Sequence, residues 1–134
     1  MANDYAIVNI KDLEDQAVKF GLSPNLEARF GRKATDAEQG GFSYQRLAPN
    51  FRQPFGHRHA GQEEFYVVLD GGGRITLLEG ETRDLQRWDV VRVAPTVARG
   101  FEAGPEGLEL LVFGAGETGD ATVLESFWED VASS

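Results

Sequence analysis

The 134-residue chain has no cysteine, one methionine and only two histidines. Without cysteine there is no disulfide, no thiolate nucleophile and no cysteine-ligated zinc. No apolar run approaches 18 residues, so no membrane-spanning helix is expected. The opening Met1-Ala2-Asn3-Asp4-Tyr5 has neither the basic nor the apolar region of a signal peptide, and a cytoplasmic location is the expectation. Positive charge is also in deficit: 13 Lys and Arg against 22 Asp and Glu give a formal net charge of −9. Such a surface repels phosphate backbones, so nucleic acid is not an expected partner. Gly71-Gly72-Gly73 is followed by no helix pattern and no Lys-Ser/Thr, which excludes a phosphate loop. No Gly-x-Ser-x-Gly elbow is present either.

What the chain has is glycine, 16 of them, separating short alternating or apolar runs. The runs Leu26–Phe30, Phe42–Leu47, Phe55–His59, Phe65–Leu69, Arg74–Leu78, Glu81–Leu85, Val90–Val93, Arg99–Glu102 and Leu108–Phe113 read as strands. Strands this short, spaced by turn signals, predict an all-β sandwich or barrel. Asp70-Gly71-Gly72-Gly73 predicts a tight turn, Glu79-Gly80 a hairpin and Trp88-Asp89 another turn. Before the strands, residues 11–20 predict a short amphipathic helix with Leu13, Ala17 and Phe20 on one stripe and Gly21 as its C-cap. Thr122–Trp128 fits either a strand or a short helix, with Phe127 and Trp128 packing on the barrel. The domain reading is an N-terminal extension over 1–25, a barrel over 26–114 and a C-terminal extension over 115–134 that packs on it. At this length one domain suffices, and its core is substantial.

Both histidines fall in one strand, two residues apart, as His57 and His59. Side chains at i and i+2 of a strand share a face, so the two imidazoles project together. A short polar link leads to Glu63 and Glu64 at the start of the next apolar strand. Two imidazoles and a carboxylate suit iron, manganese or zinc.

The stretch from His57 to Gly71 resembles the cupin superfamily, whose first motif places His-x-His, then Glu, then Gly after six intervening residues. His57, His59, Glu64 and Gly71 fit that spacing, and the six residues between Glu64 and Gly71 select Glu64 over Glu63. The motif's leading glycine is replaced by Phe51. The second motif aligns on residues 88–100, with Pro95 kept and Gly100 where the family has its fourth ligand, a histidine.

The resemblance implies a double-stranded β-helix, or jelly-roll barrel, enclosing a small-molecule site. It also implies a divalent metal (Zn, Mn, Fe or Ni) on His57, His59 and Glu64, and a homodimer. Glu63 is expected to face away from Glu64. Three further residues are candidates for the pocket. Tyr66 shares parity with Glu64, Gln45 lies on a preceding strand, and Glu109 lies in an apolar strand with either the site or solvent before it. Arg29 and Arg46 are candidates to bind an anionic substrate. Two functions remain open: a metal-dependent enzyme of dioxygenase, isomerase or decarboxylase type, and a non-catalytic binding or sensing module with a degraded metal site.

Overall fold

A computed structural model describes residues 4–78, 80–116 and 119–133. Its strands are β1 (Leu26–Phe30), β2 (Gly40–Leu47), β3 (Gly56–His59), β4 (Glu63–Leu77), β5 (Glu81–Gln86), β6 (Val90–Val93), β7 (Arg99–Ala115) and β8 (Ala121–Leu124). They form one antiparallel sheet in which β4 and β7 pair along most of their length. Because both strands are long and bent, the sheet folds into two layers. Residues 63–68 of β4 and 108–115 of β7 belong to a layer ordered β1-β2-β7-β4-β6. Residues 73–77 of β4 and 99–103 of β7 belong to the other, ordered β8-β3-β7-β4-β5. The result is the expected all-β jelly-roll barrel with a short helix before it. Among the described residues no helix is long and apolar enough to cross a membrane.

The bend corrects one sequence expectation. Asp70–Gly73 is not a turn: β4 continues through it with a bend, and register shifts fall at Val68/Asp70 and Gly71/Gly73. The glycines are there because backbones cross closely. A Cβ on Gly71, whose φ is +70°, would sit 2.0 Å from the Gly107 carbonyl oxygen; one on Gly73 would sit 2.1 Å from that of Glu102. The matching bend in β7 joins Arg99–Glu102 and Leu108–Phe113, expected as separate strands, into one.

Inward side chains from both layers fill the barrel, among them Leu47, Tyr66, Val68, Ile75, Phe101, Leu108 and Leu110. The expected N-terminal helix is shorter than its stripe suggested. A 3-10 turn at Ile10–Asp12 precedes α1 (Gln16–Lys19), which Asp15 caps by accepting from the Ala17 N–H at 3.0 Å. Ala17 is buried but Phe20 is 75% exposed, since the helix ends before the stripe can dock it. Its C-terminus is a Schellman motif on Gly21, with Gly21 N–H to Val18 O at 3.2 Å and Leu22 N–H to Ala17 O at 3.0 Å.

After β8, α2 (Phe127–Ser133) lies on the outside of β3 and the start of β7. Phe127 is fully buried there, and Trp128 Nε1–H donates to the Gln53 carbonyl. Gly56 and Gly100 make room for it, since a Cβ on either would come within 3 Å of the Phe127 ring.

Candidate metal centre

Strand alternation decides what faces the barrel interior. On β4, Glu64, Tyr66 and Val68 are buried and share a face, while Glu63 turns outward to Arg92, whose Nη1–H donates to it at 3.1 Å. His57 and His59 project from β3 across the gap between layers, their rings 5.1 Å apart and nearly perpendicular. One ligand atom from each of His57, His59 and Glu64 lies within 4.8 Å of the others. The His57 and His59 Nε2 atoms stand 3.2 and 3.1 Å from the same carboxylate oxygen, Glu64 Oε1. Tyr66 donates its O–H to that oxygen at 2.5 Å. The barrel therefore aims four groups at one point, counting Glu64 itself.

The second histidine carries information absent from the sequence motif. Asp120 Oδ1 is 2.8 Å from His59 Nδ1, while its Oδ2 accepts the backbone N–H groups of Gly61 and Gln62, each at 2.8 Å. These bonds, first that from His59, hold the Asp120 carboxyl well below the usual carboxylate range, so it is an anion that can only accept. His59 must then carry its proton on Nδ1. The buried Nε2, with no hydrogen-bond partner, presents a lone pair to Glu64. Burial pushes the Glu64 carboxyl up, but hydrogen bonds from His57 and Tyr66 lower it, so Glu64 is an anion. An anionic oxygen and a ring lone pair 3.1 Å apart repel unless a cation or a proton lies between them.

That arrangement fits a metal ion. Ligand atoms bound at about 2.1 Å in neighbouring positions lie ~3 Å apart. A carboxylate behind the ligating imidazole is the usual way its tautomer is fixed.

One expectation is overturned. Gly100 does not face the ligands. Phe101 of β7 packs against the Tyr66 ring in the core at 4.7 Å, so Arg99 shares its inward face and Gly100 points outward to α2. The second-motif alignment is therefore one residue late, and the residue opposite His57 in the register is Arg99. Arg99 is 0% exposed, with Nη2 3.6 Å from Glu64 Oε1. Burial, followed by the Glu64 charge, raises the Tyr66 phenol well above its ordinary value, and the charge of Arg99 opposes them.

The other candidates separate. Tyr66 is at the centre, its hydroxyl also 3.4 Å from His57 Nε2. Gln45 shares the inward face of β2 with Ser43 and Leu47, and donates from Nε2 to Ser43 Oγ at 3.2 Å. Glu109 is remote from the ligands. It faces outward on β7 and accepts the Tyr44 O–H at 2.5 Å. Arg29 and Arg46 are engaged with Glu27 on that same outer face, at 2.6 and 2.9 Å, and Lys11 joins them at 2.7 Å. A cavity of about 340 Å³ opens beside the cluster, lined by Ser43, His59, Gln62, Glu64, Val112 and Asp120 among others. Asp120 and Arg99 had no signal in the sequence. Asp120 lies 61 residues from the histidine it holds, and an arginine in a strand ordinarily reads as surface charge.

Residues 43–114 match the family model for the cupin domain. Solved structures give the same fold at low sequence identity. A cupin protein from Bacteroides fragilis is 22% identical with a TM-score of 0.69, over 87% of this chain and 88% of that one. A polyketide cyclase from Streptomyces resistomycificus is 18% identical with a TM-score of 0.74, over 96% of each chain. An oxalate decarboxylase variant from Bacillus subtilis is 18% identical with a TM-score of 0.73, over 92% of this chain but 33% of its own length. No curated protein matches the sequence.

Proposed function

The chain belongs to the cupin domain family, and on that premise we propose that it is a small metal-dependent enzyme acting on a small molecule at the inner end of its barrel. His57, His59 and Glu64 hold the ion. The supporting observation is the unpartnered Nε2 of His59, with its proton fixed on Nδ1 by Asp120 and a carboxylate oxygen 3.1 Å in front of it. A bound divalent ion supplies Lewis acidity, or redox capacity where the metal has it, to a ligand in the positions three protein donors leave open.

The chain's own groups do the rest. Asp120 is a positioning residue that orients His59 and fixes its tautomer. Tyr66, kept protonated by its burial and by Glu64, is a neutral donor beside the ligands. Buried apolar side chains beside them, Val112 and Phe101 among them, lower the local polarity and strengthen each polar contact. Within the types the family supports, a dioxygenase, isomerase or decarboxylase reaction is the reading.

Metal analysis of protein purified without an affinity tag, with and without supplementation, tests this. One ion per chain, lost in His59→Ala, is expected. No ion after supplementation with zinc, manganese, iron or nickel overturns it. Arg99 favours a second reading, a metal-free binding module, because a resident cation already lies by Glu64. The same metal analysis separates the two. The proposal extends to a homodimer, supported by Phe65 and Phe113, paired on adjacent strands and both exposed on the outer face. A strict monomer by light scattering at high micromolar concentration refutes that extension.

A further inference from the structure

One row of side chains leads away from the ligands across the sheet. Tyr66 of β4 pairs with Val112 of β7, Val112 with Ser43 of β2, and Ser43 with Phe30, the last residue of β1. Residues directly opposite in a sheet share a face, so all four turn into the barrel. Three strand spacings of about 4.8 Å set the Phe30 backbone about 14 Å from that of Tyr66. In the neighbouring row Glu64 pairs with Gly114, and Gly114 with Gly41, so two positions there carry no side chain. Gln62 and Arg32 use that room. A Cβ on Gly114 would sit 2.3 Å from Gln62 Oε1, and one on Gly41 would sit 3.3 Å from Arg32 Cβ. Arg32 is fixed in place by donating to the Gly116 and Glu38 carbonyls at 2.8 and 2.7 Å. The cavity of about 340 Å³ is therefore a trough. Glu64 and His59 close one end, Val112 and Ser43 form the floor, Gln62 and Arg32 one wall, and Phe30 stands at the far end.

Phe30 turns inward yet is 54% exposed, so its ring borders open space and not packed core. The hollow also continues past it. Phe30 and Lys33 border a second space of about 590 Å³, with Leu13 and Phe20 on its other side. Both aromatic residues are held by one carboxylate. Asp15 caps the helix that leads to Phe20, and it also accepts the Ala28 N–H of the strand that ends at Phe30, at 2.9 Å. Two rings thus stand exposed at the end of a trough that begins at the ligands. A flat apolar group lying there would take their surface out of water.

We infer that the substrate is an elongated aromatic compound, with an oxygen-donor end at the ion and an aryl end against Phe30, on the side open to Phe20. A compact molecule would fill only the Glu64 end. The oxygen-donor end rests on the metal reading above; the aryl end rests on the trough alone.

The test is calorimetric titration of the full zinc-loaded chain with acetohydroxamate, benzohydroxamate and biphenyl-4-hydroxamate, which share one chelating head and differ in length. Wild type is compared with Phe30→Ala and with Phe65→Ala, which removes an exposed ring from the outer face, each checked for folding by circular dichroism. Phe30→Leu stands in should Phe30→Ala not fold. Biphenyl-4-hydroxamate is expected to bind wild type at least about tenfold tighter than benzohydroxamate, the return on burying part of one more ring. In Phe30→Ala most of that gain is lost while the two shorter probes bind as before, and Phe65→Ala changes none of the three. A biphenyl probe no tighter than benzohydroxamate overturns the inference, as does a gain that survives Phe30→Ala or falls equally in Phe65→Ala. If neither zinc nor acetohydroxamate binds wild type, the metal reading falls. Biphenyl-4-carboxamide, which lacks the chelate, is then titrated into the metal-free chain: Phe30-dependent binding keeps the aryl site, and its absence removes that too.

Discussion

Replacing Asp120 by asparagine should weaken metal binding while leaving the barrel folded, and the size of the loss follows from hydrogen-bond counting. Asp120 accepts three bonds, one from His59 Nδ1 and two from the Gly61 and Gln62 N–H groups. An asparagine has one acceptor oxygen and one donor amide. If its oxygen faces the two backbone N–H groups, its NH₂ faces Nδ1, and the His59 proton must move to Nε2. That nitrogen then donates to Glu64, 3.1 Å away, instead of offering a lone pair to an ion. If the amide is flipped, two backbone donors lose their acceptor, so the first orientation wins. Loss of such a partner behind a ligating imidazole lowers metal affinity about 10- to 100-fold, or ~1.4–2.7 kcal/mol. Calorimetric titration with zinc or manganese reads the affinity. Long-range ¹H–¹⁵N correlation of the imidazoles reads the tautomer, expected as Nδ1–H in the wild type and Nε2–H in Asp120→Asn. An unchanged affinity, or a wild-type His59 already protonated on Nε2 alone, would refute the reasoning.

Four other outcomes are expected. Gly100→His should leave metal affinity unchanged and lower the melting temperature, because its side chain meets Phe127 and Trp128 at about 3 Å. Arg99→His should instead tighten zinc or manganese by about tenfold, ~1.4 kcal/mol, by titration; the reverse result would restore the one-residue-later alignment. Gly73→Ala should destabilise the fold by several kcal/mol in urea unfolding, its Cβ landing 2.1 Å from the Glu102 oxygen, and a loss under 1 kcal/mol would contradict the close crossing. The last concerns acid. Burial raises the Glu27 carboxyl, but Lys11, Arg29 and Arg46 bring it to about 2 against an ordinary 4.5. A depressed folded value means stability present in full above pH ~4.5 and lost as pH falls toward 2, with a ceiling of ~3 kcal/mol. Urea unfolding should show Glu27→Gln less stable than wild type at pH 6 and nearly equal to it near pH 2; a gap independent of pH would count against the cluster.

Some of this protein was legible in the residues alone. Short glycine-separated runs decide a β-barrel, because strands of this length bury an inner face only by closing on one another. The His57–His59 spacing decides a shared face, since the period of a strand is two regardless of context. The count from Glu64 to Gly71 carried the family resemblance that the domain match bears out. The chain could not announce where backbones cross, so three glycines that suit a turn were instead a bend under the Gly107 and Glu102 carbonyls. A parity error of one residue exchanges inside for outside, and only the packing of Phe101 on Tyr66 decided that Arg99 and not Gly100 faces the ligands. Asp120 is the clearest case of what tertiary structure alone decides. A carboxylate in a loop after β7 becomes the partner of His59 only because β8 returns to pair with β3, and no local pattern encodes a contact across 61 residues.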